Sequence, residues 1–313
     1  MFDPVLHHVH CPDAAGGHRM AYWQWGDPGA AHLVVCVHGL ARQGRDFDVL
    51  AQALLARAAQ QGRALRVICP DVVGRGESDW LQDPAGYQFT TYVADMLGLL
   101  AALRQQAPIA PFDWVGTSMG GLIGMTLAGV PDLPLSAPLH RLVLNDVGPA
   151  IEWPALERIG QYLGRSGSFA SVEAGAAHLR EISLSFGPHT DAQWLALSRP
   201  MLRPAPQGGW RLHYDPAIAV PYAAMTRESA AQGEAALWQM YDRVQAETLV
   251  LRGAESDLLS AATAQAMRRR GPQPRVVEFA GVGHAPTLIA PDQVRTVLDF
   301  LLPGAPGATG EAP

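Results

Sequence analysis

Three residue types able to break an acyl bond recur in this chain where turns would expose them. Ser118 stands in Gly116-Thr117-Ser118-Met119-Gly120, between the apolar run Phe112-Asp113-Trp114-Val115 and a small-residue segment continuing through Gly121, Leu122, Ile123, Gly124 and Met125. A G-x-S-x-G between a strand and a helix makes a turn so sharp that only glycine fits beside the serine, and it lifts the hydroxyl clear of the sheet. A hydroxyl is a poor nucleophile until a base removes its proton, and the base needs a third group to orient it. His284, in Gly281-Val282-Gly283-His284-Ala285-Pro286, is the expected base. Asp257, in Leu251-Arg252-Gly253-Ala254-Glu255-Ser256-Asp257, is the favoured acid, because the expected chain order is serine, acid, histidine. Asp146, closing Leu142-Val143-Leu144-Asn145-Asp146, is the competing acid. The oxyanion formed on attack needs donors already in place. The amide of Met119 and that of Leu40, in the glycine-containing loop His38-Gly39-Leu40, are the candidates, with His38 itself structural.

Such groups need a rigid scaffold, and the hydrophobic pattern supplies one. Residues 5–10 and 19–25 alternate as two early strands. Leu33–Val37, Arg66–Pro70, the Trp114 run, Leu139–Asn145, Glu247–Leu251 and Arg275–Phe279 read as buried strands. Between them, Asp46–Ala59, Thr90–Gln105, the segment from Met119, Ala261–Arg270 and Asp292–Leu302 have helical spacing. Apolar strands alternating with helices define an α/β class, a doubly wound and mostly parallel sheet covered on both faces. Catalytic groups on such sheets collect at the carboxyl ends of the strands, where Ser118, His284 and both acids fall.

The rhythm breaks over 149–235, which carries helical patterns instead, such as Leu156, Ile159 and Leu163, and a capping box from Thr190 to Gln193. The expected organisation is therefore a core from 1–148, an inserted helical lid over 149–235, the rest of the core over 236–302, and a Gly/Pro/Ala-rich tail at 303–313 expected to be disordered. Lid aromatics should shape an apolar substrate site. Trp153, Tyr162, Phe186, Trp210 and Tyr214 are the leading candidates, alongside Phe169, Trp194, Met201 and Tyr222.

Composition narrows the partners. The 313 residues are 48% hydrophobic and carry a net charge of -6, with no basic block beyond Arg268-Arg269-Arg270, so nucleic acid is not expected. Those arginines are expected to cap a helix C-terminus. No run is long enough for a membrane span, and Met1-Phe2-Asp3-Pro4 does not open a signal peptide, so a cytoplasmic protein without a membrane partner is the default. Three dispersed cysteines, Cys11, Cys36 and Cys69, argue against a disulfide framework. His7, His8, His10 and Cys11 do not converge on one strand face, so no metal site is expected there. Gly74-Arg75-Gly76-Glu77-Ser78 lacks the phosphate-binding glycine patterns and reads as a turn.

Taken in order, Val37-His38-Gly39-Leu40, Pro70–Asp79, Gly116–Gly121, Leu144–Pro149 and Gly283-His284 resemble the α/β-hydrolase fold family along most of the chain. The resemblance implies an eight-stranded, mostly parallel sheet with a helical lid after the sixth strand, and no cofactor. The serine distinguishes the chain from dehalogenases and epoxide hydrolases, which place an aspartate there. It suits a serine hydrolase acting on small, mostly apolar esters through an acyl-enzyme. Perhydrolases and non-haem haloperoxidases share the same triad. C–C bond hydrolases of ring-fission products are the alternative. They usually show Asn before the serine and Trp after the histidine, where this chain has Thr117 and Ala285. Their substrates carry a carboxylate, for which Arg158, Arg165, Arg180 and Arg199 are available. A ligand receptor on the same scaffold is a third reading, and oligomeric state is left open.

Overall fold

A computed structural model describes residues 3–13, 15–165 and 167–304. The greater part of the expected disordered tail, residues 305–313, lies outside the described residues. The core elements in chain order are β1 (Val5–Cys11), β2 (His18–Gly26), β3 (Leu33–Val37), α1 (Asp48–Gln60), β4 (Arg66–Pro70), α2 (Phe89–Gln106), β5 (Phe112–Thr117), α3 (Met119–Gly129) and β6 (Leu139–Asn145). A long excursion follows, with α4 (Trp153–Tyr162), β7 (Ser168–Phe169), α5 (Val172–Ile182), α6 (Asp191–Ser198), β8 (Leu202–Pro204), β9 (Trp210–Leu212), α7 (Ala219–Ala223) and α8 (Arg227–Tyr241). The chain then returns through β10 (Glu247–Gly253), α9 (Ala261–Met267), β11 (Arg275–Phe279) and α10 (Pro291–Leu301).

The main sheet has eight strands in the order β1-β2-β4-β3-β5-β6-β10-β11. Only β2 runs against its neighbours; β4, β3, β5, β6, β10 and β11 pair in parallel. Both β3 and β4 are buried along their whole length, as strands covered on two faces must be. Their side chains alternate between two apolar layers. Val35, Val37 and Ile68 join the layer with Met96 and Leu99 of α2, whereas Val34, Cys36, Val67 and Cys69 join the layer with Leu50, Leu54 of α1 and Val297 of α10. All three cysteines are buried free thiols. No helix among the described residues is long and apolar enough to cross a membrane.

The excursion between β6 and β10 is not helical throughout. It holds a small antiparallel sheet, β7-β9-β8. Pro204 and Trp210 are paired across a tight turn in which Gly208 (φ 92°) and Gly209 (φ 76°) adopt the left-handed backbone that glycine tolerates. The capping box on α6 is present, with Thr190 and Gln193 bonding reciprocally. The expected boundary at 235 falls inside α8, whose Met240 carbonyl lies so close to Gly129 of α3 that a Cβ there would strike it. The arginine triplet lies beyond α9 rather than within it: Arg270 pairs with Asp242 at 2.5 Å and Arg268 donates to the Val276 carbonyl.

The turn after β4 ties the excursion to the core. Buried Asp71 accepts from the amides of Gly44 (2.6 Å) and Glu77 (2.9 Å) and from the Trp23 indole (3.3 Å). Burial pushes its carboxyl up to about 7. The turn so held donates from the Gly76 amide to the His213 carbonyl, and its Gly74 carbonyl accepts from Asp215. Gly74–Ser78 is thus a structural turn.

Two glycine substitutions separate close packing from backbone freedom. A Cβ on Gly120 would drive into the Val37 carbonyl, so Gly120→Ala should lower stability by about 2 kcal/mol or more. Gly98, in the middle of α2 with open space around it, should gain about 0.5–1 kcal/mol on Gly98→Ala. Urea unfolding followed by tryptophan fluorescence checks both.

Candidate active site

The elbow between β5 and α3 is built by close approach. A Cβ on Gly116 would strike the Gly120 carbonyl, and one on Gly121 would meet Val147 Cγ1 at 2.5 Å. With no side chains in the way, α3 starts against the ends of β3 and β5. Ser118 is left at φ 52°, ψ -117°. Such a backbone costs a non-glycine residue about 1–3 kcal/mol and persists only where the surroundings enforce it. Three bonds do so: the Ser118 amide donates to the Asn145 carbonyl (3.0 Å), its carbonyl accepts from Gly121 (2.8 Å), and Trp114 Nε1 donates to the Gly120 carbonyl (2.9 Å).

Ser118 Oγ lies 3.0 Å from His284 Nε2, and His284 Nδ1 lies 2.8 Å from Asp146 Oδ2. A neutral imidazole protonated on Nδ1 donates to the carboxylate and leaves Nε2 free to accept the serine proton. His284 is held from several sides. Asn145 Nδ2 donates both to Thr117 Oγ1 (2.9 Å) and to the Pro286 carbonyl (2.8 Å). Ser185, from the excursion, donates its hydroxyl to the His284 carbonyl (2.8 Å), and its backbone carbonyl accepts from the Gly283 amide (2.6 Å).

The acid beside His284 is therefore Asp146, not the favoured Asp257. The reason is where each lies along the sheet. Asp146 is the first residue past β6, the strand between β5 and β10, and is fully buried. Asp257 lies four residues past β10 on a loop that has already turned outward. There it makes a two-point ion pair with Arg158 of α4, at 2.6 and 2.9 Å. Two groups unanticipated from sequence complete the Asp146 setting: the Gly253 amide donates to Oδ1 (2.8 Å) and the Ser256 hydroxyl to Oδ2 (2.6 Å). Their only sequence signal was membership of the segment that carries Asp257.

The loop after β3 overlies the serine, with the Cβ position of Gly39 3.6 Å from Ser118 Cβ. Among the described residues neither the Leu40 nor the Met119 amide donates to a protein acceptor. The loop is fixed from below. His38 is fully buried, with Nδ1 donating to the Gly39 carbonyl (2.7 Å) and Nε2 accepting from the Val72 amide (2.9 Å). Desolvation, aided by the Arg75 and Arg42 charges, pulls its pKa down to about 3, so it stays neutral and structural. Buried Arg75 donates to the Leu40 carbonyl (2.8 Å) and the Val73 carbonyl (2.6 Å), setting the direction of the Leu40 peptide.

Two cavities meet at Ser118. One, of about 130 Å³, is shared with His284 and is lined in part by Tyr162, Phe186, Met201 and Tyr214. The other, of about 250 Å³, is shared with Met119 and lined by apolar residues including Tyr222. Of the expected pocket aromatics, Trp153 and Trp210 line neither. Trp153 starts α4 beneath Arg227 and faces a separate cavity against α8, and Trp210 is spent on the β9 pairing. Among the described residues, Cys11, His18 and Asp95 are the one group of three with metal-ligand chemistry. Both His18 nitrogens are engaged, by Asp13 (2.9 Å) and Asp95 (3.0 Å), and the three residues line neither cavity.

This fold and site define a class, and the sequence agrees with it: residues 34–297 match the alpha/beta hydrolase family, to which the chain belongs. It is a hydrolase of that family. The chain is 48% identical over 301 residues to the 3-hydroxybutyrate-oligomer hydrolase of Cupriavidus necator, covering 95% of this chain and 97% of that one. It is 24% identical to a 2-(acetamidomethylene)succinate hydrolase of Mesorhizobium japonicum, over 88% of this chain and 90% of that one. Among solved structures, an alpha/beta hydrolase from Novosphingobium aromaticivorans superposes with a TM-score of 0.77 at 32% identity, covering 96% of this chain and 99% of the other.

The two acids make opposite predictions. Asp146→Asn should lower kcat on an ester by about 10³- to 10⁴-fold, since an amide beside Nδ1 favours the wrong tautomer. Asp257→Asn should stay within about tenfold of wild type, because it breaks only a half-exposed ion pair. Steady-state hydrolysis of a p-nitrophenyl ester by both variants separates them.

Proposed function

We propose that this protein is a serine hydrolase of carboxylic esters, with short oligoesters of 3-hydroxybutyrate as its leading substrate class. The single observation that carries the reading is the Ser118–His284–Asp146 relay at the junction of two cavities. The substrate class is supported by the Cupriavidus necator relative, whose similarity runs the full length of both chains.

In this reading Ser118 Oγ attacks the ester carbonyl carbon while His284 Nε2 takes its proton. The negative charge moves to the carbonyl oxygen, which receives the Leu40 and Met119 amides. As the tetrahedral intermediate collapses, His284 gives the proton to the departing alcohol. Water, deprotonated by the same nitrogen, then releases the acid from Ser118. Asp146 keeps Nδ1 protonated and offsets the imidazolium charge while it exists. Donors arranged before the charge develops contribute without reorganisation, and one such donor is worth about 10²–10³ in rate. The excursion over 149–225 acts as the lid, closing both cavities over the serine.

Carbon–carbon bond hydrolysis would use the same serine, but the full-length similarity to an ester-cleaving relative favours esters.

A pH-stat assay on the 3-hydroxybutyrate dimer and trimer should register sustained acid release, and Ser118→Ala should lose at least about 10³-fold of it. Turnover that survives in Ser118→Ala would reject the serine mechanism. Turnover of simple acyl esters with none on the oligomers would reject the substrate class.

A further inference from the structure

The cavities on either side of Ser118 differ in charge. The one shared with His284 is lined by Arg42, Arg158, Arg165 and His178, and by no Asp or Glu among the described residues. The one shared with Met119 is lined by no charged side chain. Arg42 is paired with Asp46 at 2.6 Å, and Arg158 with Asp257 at 2.6 Å. Arg165 has no carboxylate partner among the described residues. An arginine without an acid, in a cavity that also holds two further guanidinium groups, is a ready acceptor of a carboxylate.

The relay assigns the direction of the substrate. The departing alcohol oxygen must receive its proton from His284 Nε2, so the leaving group belongs in the cavity that His284 lines. The acyl chain then extends into the neutral cavity beside Met119. The leaving-group side is the smaller, about 130 Å³ against about 250 Å³. We infer that the His284-side cavity is a subsite for an alcohol leaving group that bears a carboxylate, anchored by Arg165. A linear 3-hydroxy-acid oligoester is then cut one unit at a time from its carboxyl end. The inference rests on the ester-hydrolase reading and adds the subsite and the polarity of cleavage. Atoms balance as in any acyl transfer. The Ser118 Oγ–acyl bond forms, the ester C–O bond breaks, and the proton taken from Ser118 passes to the oxygen of the departing hydroxy acid.

The experiment compares wild type, Arg165→Ala and Arg165→Lys on the 3-hydroxybutyrate dimer as free acid and as methyl ester, with p-nitrophenyl butyrate alongside. Wild type should favour the free acid. In Arg165→Ala the ratio of kcat/KM for acid over methyl ester should fall by about ten- to a hundredfold, chiefly through KM, as for loss of a charged hydrogen bond. Arg165→Lys should recover part of it. A trimer carrying ¹³C in its carboxyl-terminal unit should release labelled monomer first. An unchanged ratio in Arg165→Ala, or unlabelled monomer first, would overturn the subsite while leaving ester hydrolysis standing if p-nitrophenyl butyrate is still cleaved. Failure to cleave any of the three esters would remove both.

Discussion

The structure depends on how closely the start of α3 approaches the ends of β3 and β5. Gly116, Gly120 and Gly121 carry no Cβ, so three backbones meet where side chains would collide. Ser118 is the residue left over at that meeting point, held at a positive φ that its own side chain disfavours. That single strain raises the hydroxyl above the sheet and leaves the first amide of α3 free of an intrahelical partner. The neighbouring groups are arranged around it. The Asn145 carbonyl holds the Ser118 amide, the Asn145 side chain holds the His284 loop, and the next residue, Asp146, holds the imidazole.

Strand adjacency explains which parts of this arrangement were legible in the sequence. Alternation and apolar runs depend on local periodicity and marked out the strands and helices of the sheet, while the elbow, His284 and the Leu40 loop stood out by glycine-containing motifs at strand ends. The choice of acid depends on which strand neighbours β5, a long-range fact that periodicity does not encode. Chain order favoured Asp257, but the loop carrying His284 reaches back past β10 to the end of β6, where Asn145 holds the Pro286 carbonyl and Asp146 meets the imidazole. Asp257, favoured as the acid, instead forms an ion pair with an arginine. Its partner, Arg158, comes from α4, 99 positions away. The β7-β9-β8 sheet was missed because strands of two or three residues carry too short a pattern to register. Trp153 and Trp210 were misplaced for a related reason. Aromatic composition says that a lid has apolar surface, not which side of it faces the serine.

The same geometry gives the site a direction. His284 opens on a cavity bearing arginines and Met119 on one without charge, so the two sides of Ser118 differ chemically. Contacts from the excursion between β6 and β10 reach both sides of this site. Arg158 of α4 is drawn to Asp257 on the loop whose Ser256 also bonds Asp146, and Ser185 fastens the His284 carbonyl. The excursion is therefore tied to the Ser118–His284–Asp146 group through two separate contacts.

A serine mechanism requires that Ser118 become covalently acylated during turnover. Acid-quenching the enzyme during hydrolysis of p-nitrophenyl butyrate, followed by intact-mass analysis and peptide mapping, tests it most directly. The expected result is a butyryl adduct confined to the peptide that contains Ser118. Full turnover with no adduct on that peptide, together with butyryl carried by another residue, would contradict it.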